Sequence, residues 1–221
     1  MKPSRLKRIT VVIIEDHRMF REQLAHLINQ DDEMRVCGEA DNVPDGIELI
    51  KGMQPAIAIV DISLKGSSGL ELVKQLRSLE IEVPVLVLSM HEESLYAERA
   101  LRAGANGYIT KHEASADVMN AVRQVLSGDL YLNPRFMSRM MSKIMGGASG
   151  LSGEPTARLA DRELDVFRLI GRGLTTREIG ENLGLGMTTV DTYRARIKEK
   201  LKLENMARLR LEASRWVQEH G

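Results

Sequence analysis

The chain has 221 residues, 43% of them hydrophobic, and its 31 Lys and Arg are balanced by 31 Asp and Glu. That length supports one or two cored domains, and no apolar run reaches the roughly 20 residues of a membrane span, so a cytosolic protein is expected. Cys37 is the only cysteine, which excludes an internal disulfide and any cysteine-rich metal site.

The start, "MKPSRLKRIT", is basic but lacks a leucine-rich segment with a small-residue cleavage site, which argues against a signal peptide. From residue 9 to residue 127 short apolar strands alternate with longer amphipathic stretches. The strands are expected at 9–14, 34–39, 57–60, 84–89 and 107–109, and the helices near 18–29, 43–52, 69–79, 93–103 and 113–127. Five such units imply an α/β fold, a doubly wound five-stranded parallel sheet with helices on both faces. Ligands in that architecture bind at the carboxyl ends of the strands. Cys37, in "MRVCGEA", reads as a small core residue of the second strand.

Polar side chains collect at those strand ends. "VVIIEDHRMF" places Glu15 and Asp16 directly after a β-branched run that reads as buried on both faces, where two carboxylates are costly to desolvate. "IAIVDIS" delivers Asp61, "VLVLSM" delivers Ser89, and "GYITK" delivers Lys111. Each acid taken alone is an ordinary turn former, and Asp16 also stands where the helix at 18–29 would be capped. Convergence of three carboxylates, a hydroxyl and an ammonium on one edge points instead to a pocket of hard ligands suited to Mg2+. The five histidines show no HExxH pattern or close paired spacing, and no chemistry is assigned to His17, His26, His91, His112 or His220.

With these residues in place, the N-terminal part resembles the receiver domain of bacterial two-component response regulators. The resemblance implies that Glu15 and Asp16 bind Mg2+ together with Asp61 and the carbonyl of Ser63. It further implies that Asp61 accepts the phosphoryl group from a sensor histidine kinase, that Ser89 and Tyr108 are the switch pair, and that Lys111 is the lysine of the site. Lys65 stands where the family usually has proline. A haloacid-dehalogenase type of phosphatase also uses a strand-end aspartate, but places a general acid two residues later, where this chain has Ser63. A slowly hydrolysed acyl phosphate, and no turnover enzyme, is the better fit.

Residues 129–155 read as a linker. Within it "PRFMSRMMSKIM", residues 134–145, would form a short helix with Met137, Met140, Met141 and Met145 roughly along one side, and "GGASGLSGEP" is a flexible tether. The expected division is therefore 7–128, 129–155 and 156–221. The last part carries 13 Lys and Arg against 10 Asp and Glu, leaving the rest equally acidic. It is helical throughout by pattern. "DRELDVFRLIGRG" and "TTREIGENLGLG" both stop at glycine, and "MTTVDTYRARIKEKL" and "NMARLRLEASRWVQ" follow.

Two helices joined through "LGLG", the second basic, form a helix-turn-helix pattern. At about 100° per residue Val190, Tyr193, Ile197 and Leu201 share an inward face. Arg194, Lys198 and Lys202 run up one flank and Arg196 and Lys200 up the other, with Thr188, Thr192 and Ala195 between them. Two basic rows about a strip of small residues suit a helix in the major groove of double-stranded DNA. Residues 159–210 resemble the LuxR-type helix-turn-helix through Leu159, Arg162, Glu163, "GLTTREIGENLGL", "TTV" and "RIKEKL". The expected DNA-binding residues are Thr188, Thr189, Asp191, Thr192, Arg194, Ala195, Arg196, Lys198 and Lys200. Ala160 replaces the usual capping Thr or Ser, Asp191 a frequent lysine, and Tyr193 a common histidine. Receiver followed by effector is the order of NarL-type regulators, and implies a transcription factor that pairs into a homodimer when phosphorylated. The alternative is a regulator that acts through protein contacts without sequence-specific DNA binding. The stripe Leu209, Ala213, Trp216 and Val217 in the final helix could serve its own core, a second subunit, or both.

Overall fold

The computed structural model describes residues 8–90, 94–134, 136–138 and 155–220. They fall into two compact units, one ending at Asn133 and the other containing the C-terminal helices.

The first unit is a five-stranded sheet. Its strands are β1 (Ile9–Ile14), β2 (Met34–Ala40), β3 (Ile57–Asp61), β4 (Val85–Ser89) and β5 (Gly107–Thr110), all parallel, in the order β2-β1-β3-β4-β5. Between them run α1 (Arg18–Asn29), α2 (Val43–Met53), α3 (Gly69–Ser78) and α4 (Ser94–Ala103), and α5 (Lys111–Leu126) follows the last strand. β1 and β3 are adjacent and central, so their carboxyl ends flank the point where the strand order reverses, the usual ligand crevice of such sheets. Both faces are covered. Val11, Ile13, Ile57 and Ile59 pack under Leu24, Ile28, Val118 and Val122 of α1 and α5. On the other side a Cβ on Gly46 of α2 would meet both Ile14 and Leu72 of α3 within 3.0 Å.

Local chemistry sets the helix starts. Asn42 Oδ1 accepts from the Asp45 N–H and Ser68 Oγ from the Leu70 N–H, capping α2 and α3. Thr110 and Glu113 exchange hydrogen bonds in a capping box, so α5 begins at Lys111, two residues earlier than its periodicity implies. The cap position of α1 is His17, without a side-chain cap bond. Asp16 therefore does not cap that helix.

Cys37 is half-buried and not a core residue. The β1–β2 register skips it, pairing Val11 with Val36 and Val12 with Gly38, so the cysteine sits in a bulge on an edge strand. Of the expected methionine helix, Pro134 and residues 136–138 are helical, whereas Met140, Met141 and Met145 lie outside the described residues.

The second unit holds a 3-10 turn (Pro155–Arg158) and helices α6 (Asp161–Gly171), α7 (Thr176–Leu183), α8 (Met187–Leu201) and α9 (Met206–His220). α7 starts at a Thr175–Glu178 capping box and ends at Gly184, whose φ of 64° lies in the left-handed region that a tight interhelical turn requires. Leu164, Phe167 and Ile170 of α6, Leu209, Ala213 and Trp216 of α9, and Val190 and Ile197 of α8 are buried. Phe167 and Trp216 meet edge to face with centroids 6.0 Å apart. The stripe on α9 is thereby committed to its own core, with Val217 half-buried beside it.

Candidate functional site

The carboxyl ends of β1 and β3 bring Glu15, Asp16 and Asp61 together, and the first residue of α5 adds Lys111. Glu15, Asp61, Ser89 and Lys111 are buried at 7% exposure or less, far below what charged residues tolerate without partners. Lys111 Nζ lies 2.6 Å from Glu15 Oε2 and 3.0 Å from Asp61 Oδ2, so one ammonium bridges two carboxylates. That leaves an excess of negative charge. Burial first, and repulsion from Glu15 second, push the Asp61 carboxyl up to about 6, against the pull of Lys111 and of the Ser63 N–H. No hydrogen bond of good geometry reaches Asp61 Oδ1, which is buried. A buried carboxylate oxygen without a hydrogen bond, beside two further acids, has the donor chemistry of a cation site, and the hard oxygen set fits Mg2+.

Ser89 ends β4, fully buried, and Tyr108 is buried within β5, where its N–H donates to the Tyr131 carbonyl. Ser63 is half-buried in the loop after Asp61, and Lys65 is exposed in the turn beyond it.

Three residues escaped the sequence reading. His17 extends the acidic cluster, with Nδ1 2.9 Å from Asp16 Oδ1 and 3.3 Å from Glu15 Oε1. Its position directly after the acid pair was the available signal, and a search for paired histidine spacings overlooks it. Phe20 lies one turn into α1 with its ring centroid 4.9 Å from Lys111 Nζ, a cation–π contact across 91 residues that no local pattern announces. Gly69 begins α3 so close to β3 that an added Cβ would fall 1.9 Å from the Asp61 carbonyl oxygen. The glycine in "SSGLEL" was visible, but the reason for it was not.

In the helical unit α8 follows the turn at Gly184 and presents Thr188, Thr189, Asp191, Thr192, Ala195, Arg196 and Lys200 to solvent. Arg196 and half-buried Lys198 have no acidic partner among the described residues. Arg194 and Lys200 are engaged. Arg194 donates to Thr176 Oγ1 of α7 and pairs with Asp191 at 3.2 Å, and Lys200 pairs with Glu163 of α6 at 2.6 Å. The Thr192 hydroxyl donates to the Thr188 carbonyl. Ala160, in place of a capping hydroxyl, leaves half a capping box: its N–H donates to Glu163 Oε2 at 2.7 Å.

Known proteins match both units. Residues 11–123 match the response regulator receiver domain, and residues 157–213 match the luxR family of bacterial regulatory proteins. The putative positive transcription regulator of virulence factors BvgA from Bordetella pertussis is 33% identical over 90% of this chain and 93% of its own. The nitrate/nitrite response regulator NarL of Escherichia coli is 30% identical over 94% of each chain. Among solved structures, RcsB of Salmonella enterica bound to promoter rprA with beryllofluoride has a TM-score of 0.59, covering 94% of this chain and 99% of that one at 23% identity, which shows the fold. The chain belongs to the LuxR-type two-component response regulators, with a receiver domain and a helix-turn-helix domain.

Proposed function

We propose that this regulator accepts a phosphoryl group on Asp61 from the phosphohistidine of a sensor kinase, and that the modification controls its binding to double-stranded DNA. The observation that carries the reading is the Asp61 carboxylate, raised in pKa by burial and then by Glu15 and bridged by Lys111. An Asp61 oxygen attacks phosphorus, the P–N bond breaks with its electron pair going to the kinase's ring nitrogen, and the imidazole leaves neutral, by a proton already on the phosphohistidine ring or one taken from water. Lys111 moves its charge from the Asp61 carboxylate to the phosphoryl oxygens. Bound Mg2+, held by Glu15, Asp16, Asp61 and the Ser63 carbonyl, supplies charge neutralisation at those oxygens. Ser89, at the end of β4, and Tyr108, within β5, are assigned to reporting the phosphorylated state of the site. No side chain stands placed as a general acid two residues after Asp61, which supports a persistent signal over turnover.

On the helical unit, Arg196 and Lys198 are assigned to DNA phosphates and Thr188, Thr189, Asp191, Thr192 and Ala195 to base edges. Arg194 and Lys200 brace α8 against its neighbours until phosphates compete for them. The working division is receiver 7–128, linker 129–155 and DNA-binding domain 156–221, acting in the cytoplasm as a homodimer when phosphorylated. The test is mass spectrometry after incubation with acetyl phosphate and Mg2+. The native chain gains one phosphoryl mass and Asp61→Asn gains none; a Mg2+-dependent gain in the variant would place the acceptor elsewhere.

A further inference from the structure

His17 takes no part in the chemistry proposed above, yet it faces the pocket. One ligand atom from each of Glu15, Asp16, His17 and Asp61 lies within 4.8 Å of every other. The His17 backbone N–H donates to Glu15 Oε1 at 2.9 Å, which holds the residue against the acid pair. Its Nδ1 is 2.9 Å from one carboxylate oxygen and 3.3 Å from another. Those two distances are polar contacts of the ring with the acid pair, and they also match the separation of about 3 Å between neighbouring ligands on an octahedral ion with bonds of 2.0–2.1 Å. Asp61, 1% exposed with Oδ1 unbonded, is an independent sign that the cluster awaits a ligand. The His17 side chain is 70% exposed, so solvent reaches the ring.

Imidazole adds little for Mg2+, which keeps to oxygen, and much for first-row transition ions, which take nitrogen and oxygen together. We infer that His17 Nδ1 is a protein ligand in this pocket and makes it a mixed nitrogen–oxygen site that prefers Mn2+ to Mg2+. The inference rests on the reading of Glu15, Asp16 and Asp61 as a cation site.

Mn2+ is both candidate ion and probe. Electron spin echo spectra of Mn2+ bound to the full-length protein should carry nuclear modulation from a histidine nitrogen. His17→Ala and His17→Gln should both remove that modulation and weaken Mn2+ by about tenfold or more, the scale on which a metal site responds to loss of a supporting group. Mg2+ affinity, measured by competition, should change far less. Mn2+ bound without nitrogen modulation, modulation that survives in both variants, or equal loss of both metals would overturn the role of His17 while leaving the carboxylate site standing. Mn2+ binding that is indifferent to Asp61→Asn and Asp16→Asn would overturn the cation site itself.

Discussion

The receiver pocket and the outer face of α8 both concentrate charge, and they handle it in opposite ways. In the pocket Glu15, Asp61 and Lys111 are buried and Lys111 touches both acids within 3.0 Å, so each alters the energy of the others. On α8 Arg196 is exposed and Lys198 half-buried, and neither has an acidic partner among the described residues, so each acts nearly alone. A change in the pocket should therefore act through the whole constellation, whereas changes on the helix should add up one phosphate contact at a time.

The largest effect is expected where the pocket meets its scaffold. Gly69→Ala places a methyl against the Asp61 carbonyl oxygen, and either α3 or the acceptor strand must move. A displacement of about 1 Å costs on the order of 100-fold in rate, and overpacking of this kind costs about 1–3 kcal/mol of stability. The initial rate of phosphorylation by acetyl phosphate, together with urea unfolding, checks both. A variant that keeps native rate would show that the pocket tolerates looser geometry than its burial implies.

Next in size is the cost of keeping Asp61 charged. Its folded pKa of about 6 lies above the 3.8 of the free side chain, so the folded state holds this proton more tightly than the unfolded state does. The resulting stabilisation is complete below pH 3.8, is lost as pH rises through 6, and is absent at neutral pH. Without divalent cations, Asp61→Asn should therefore be more stable than the native chain at pH 7.5 by about 1–3 kcal/mol, at 1.36 kcal/mol per unit. The advantage should shrink as pH falls towards 4. A constant difference between the two proteins across that range would remove the electrostatic explanation.

A smaller and additive response is expected on α8. Replacing Arg196 or Lys198 by Ala should weaken binding to all DNA sequences and lower the salt slope by roughly 1 each. Thr192→Ala should alter preference among sequences with the slope unchanged. Native binding insensitive to salt would favour the alternative of a regulator working through protein contacts.

The contrast also explains what was legible from residues alone. β1, β3 and β4 announce themselves as apolar runs because a central parallel strand is buried on both faces, and a polar residue at such an end stands out. Glu15, Asp16, Asp61 and Ser89 were singled out that way. His17, Phe20 and Gly69 were not, because their importance lies in contacts made by folding: a ring turned back on an acid pair, a face under a distant ammonium, a backbone too near for a methyl. On α8 the projection placed Val190 and Ile197 inward as expected, but it counted Arg194 and Lys200 as free cations when Thr176, Asp191 and Glu163 engage them. Periodicity assigns a side chain to a face and says nothing of what the neighbouring helix offers it. The same limit applied to α9, whose apolar stripe fitted a core or a partner equally well until Leu209, Ala213 and Trp216 proved buried.

What links the two regions is phosphorylation, and it can be measured directly as DNA affinity. The native protein and Asp61→Asn are titrated onto a genomic fragment that the protein protects from nuclease, with two half-sites or one, in Mg2+ with and without beryllofluoride. A coupling of about 1–3 kcal/mol corresponds to a 5- to 150-fold tightening. That gain is expected for the native protein on the two-half-site DNA, much less on the single half-site, and not at all for Asp61→Asn. Native affinity unmoved by beryllofluoride, or tightened equally in Asp61→Asn, would contradict control of DNA binding through Asp61.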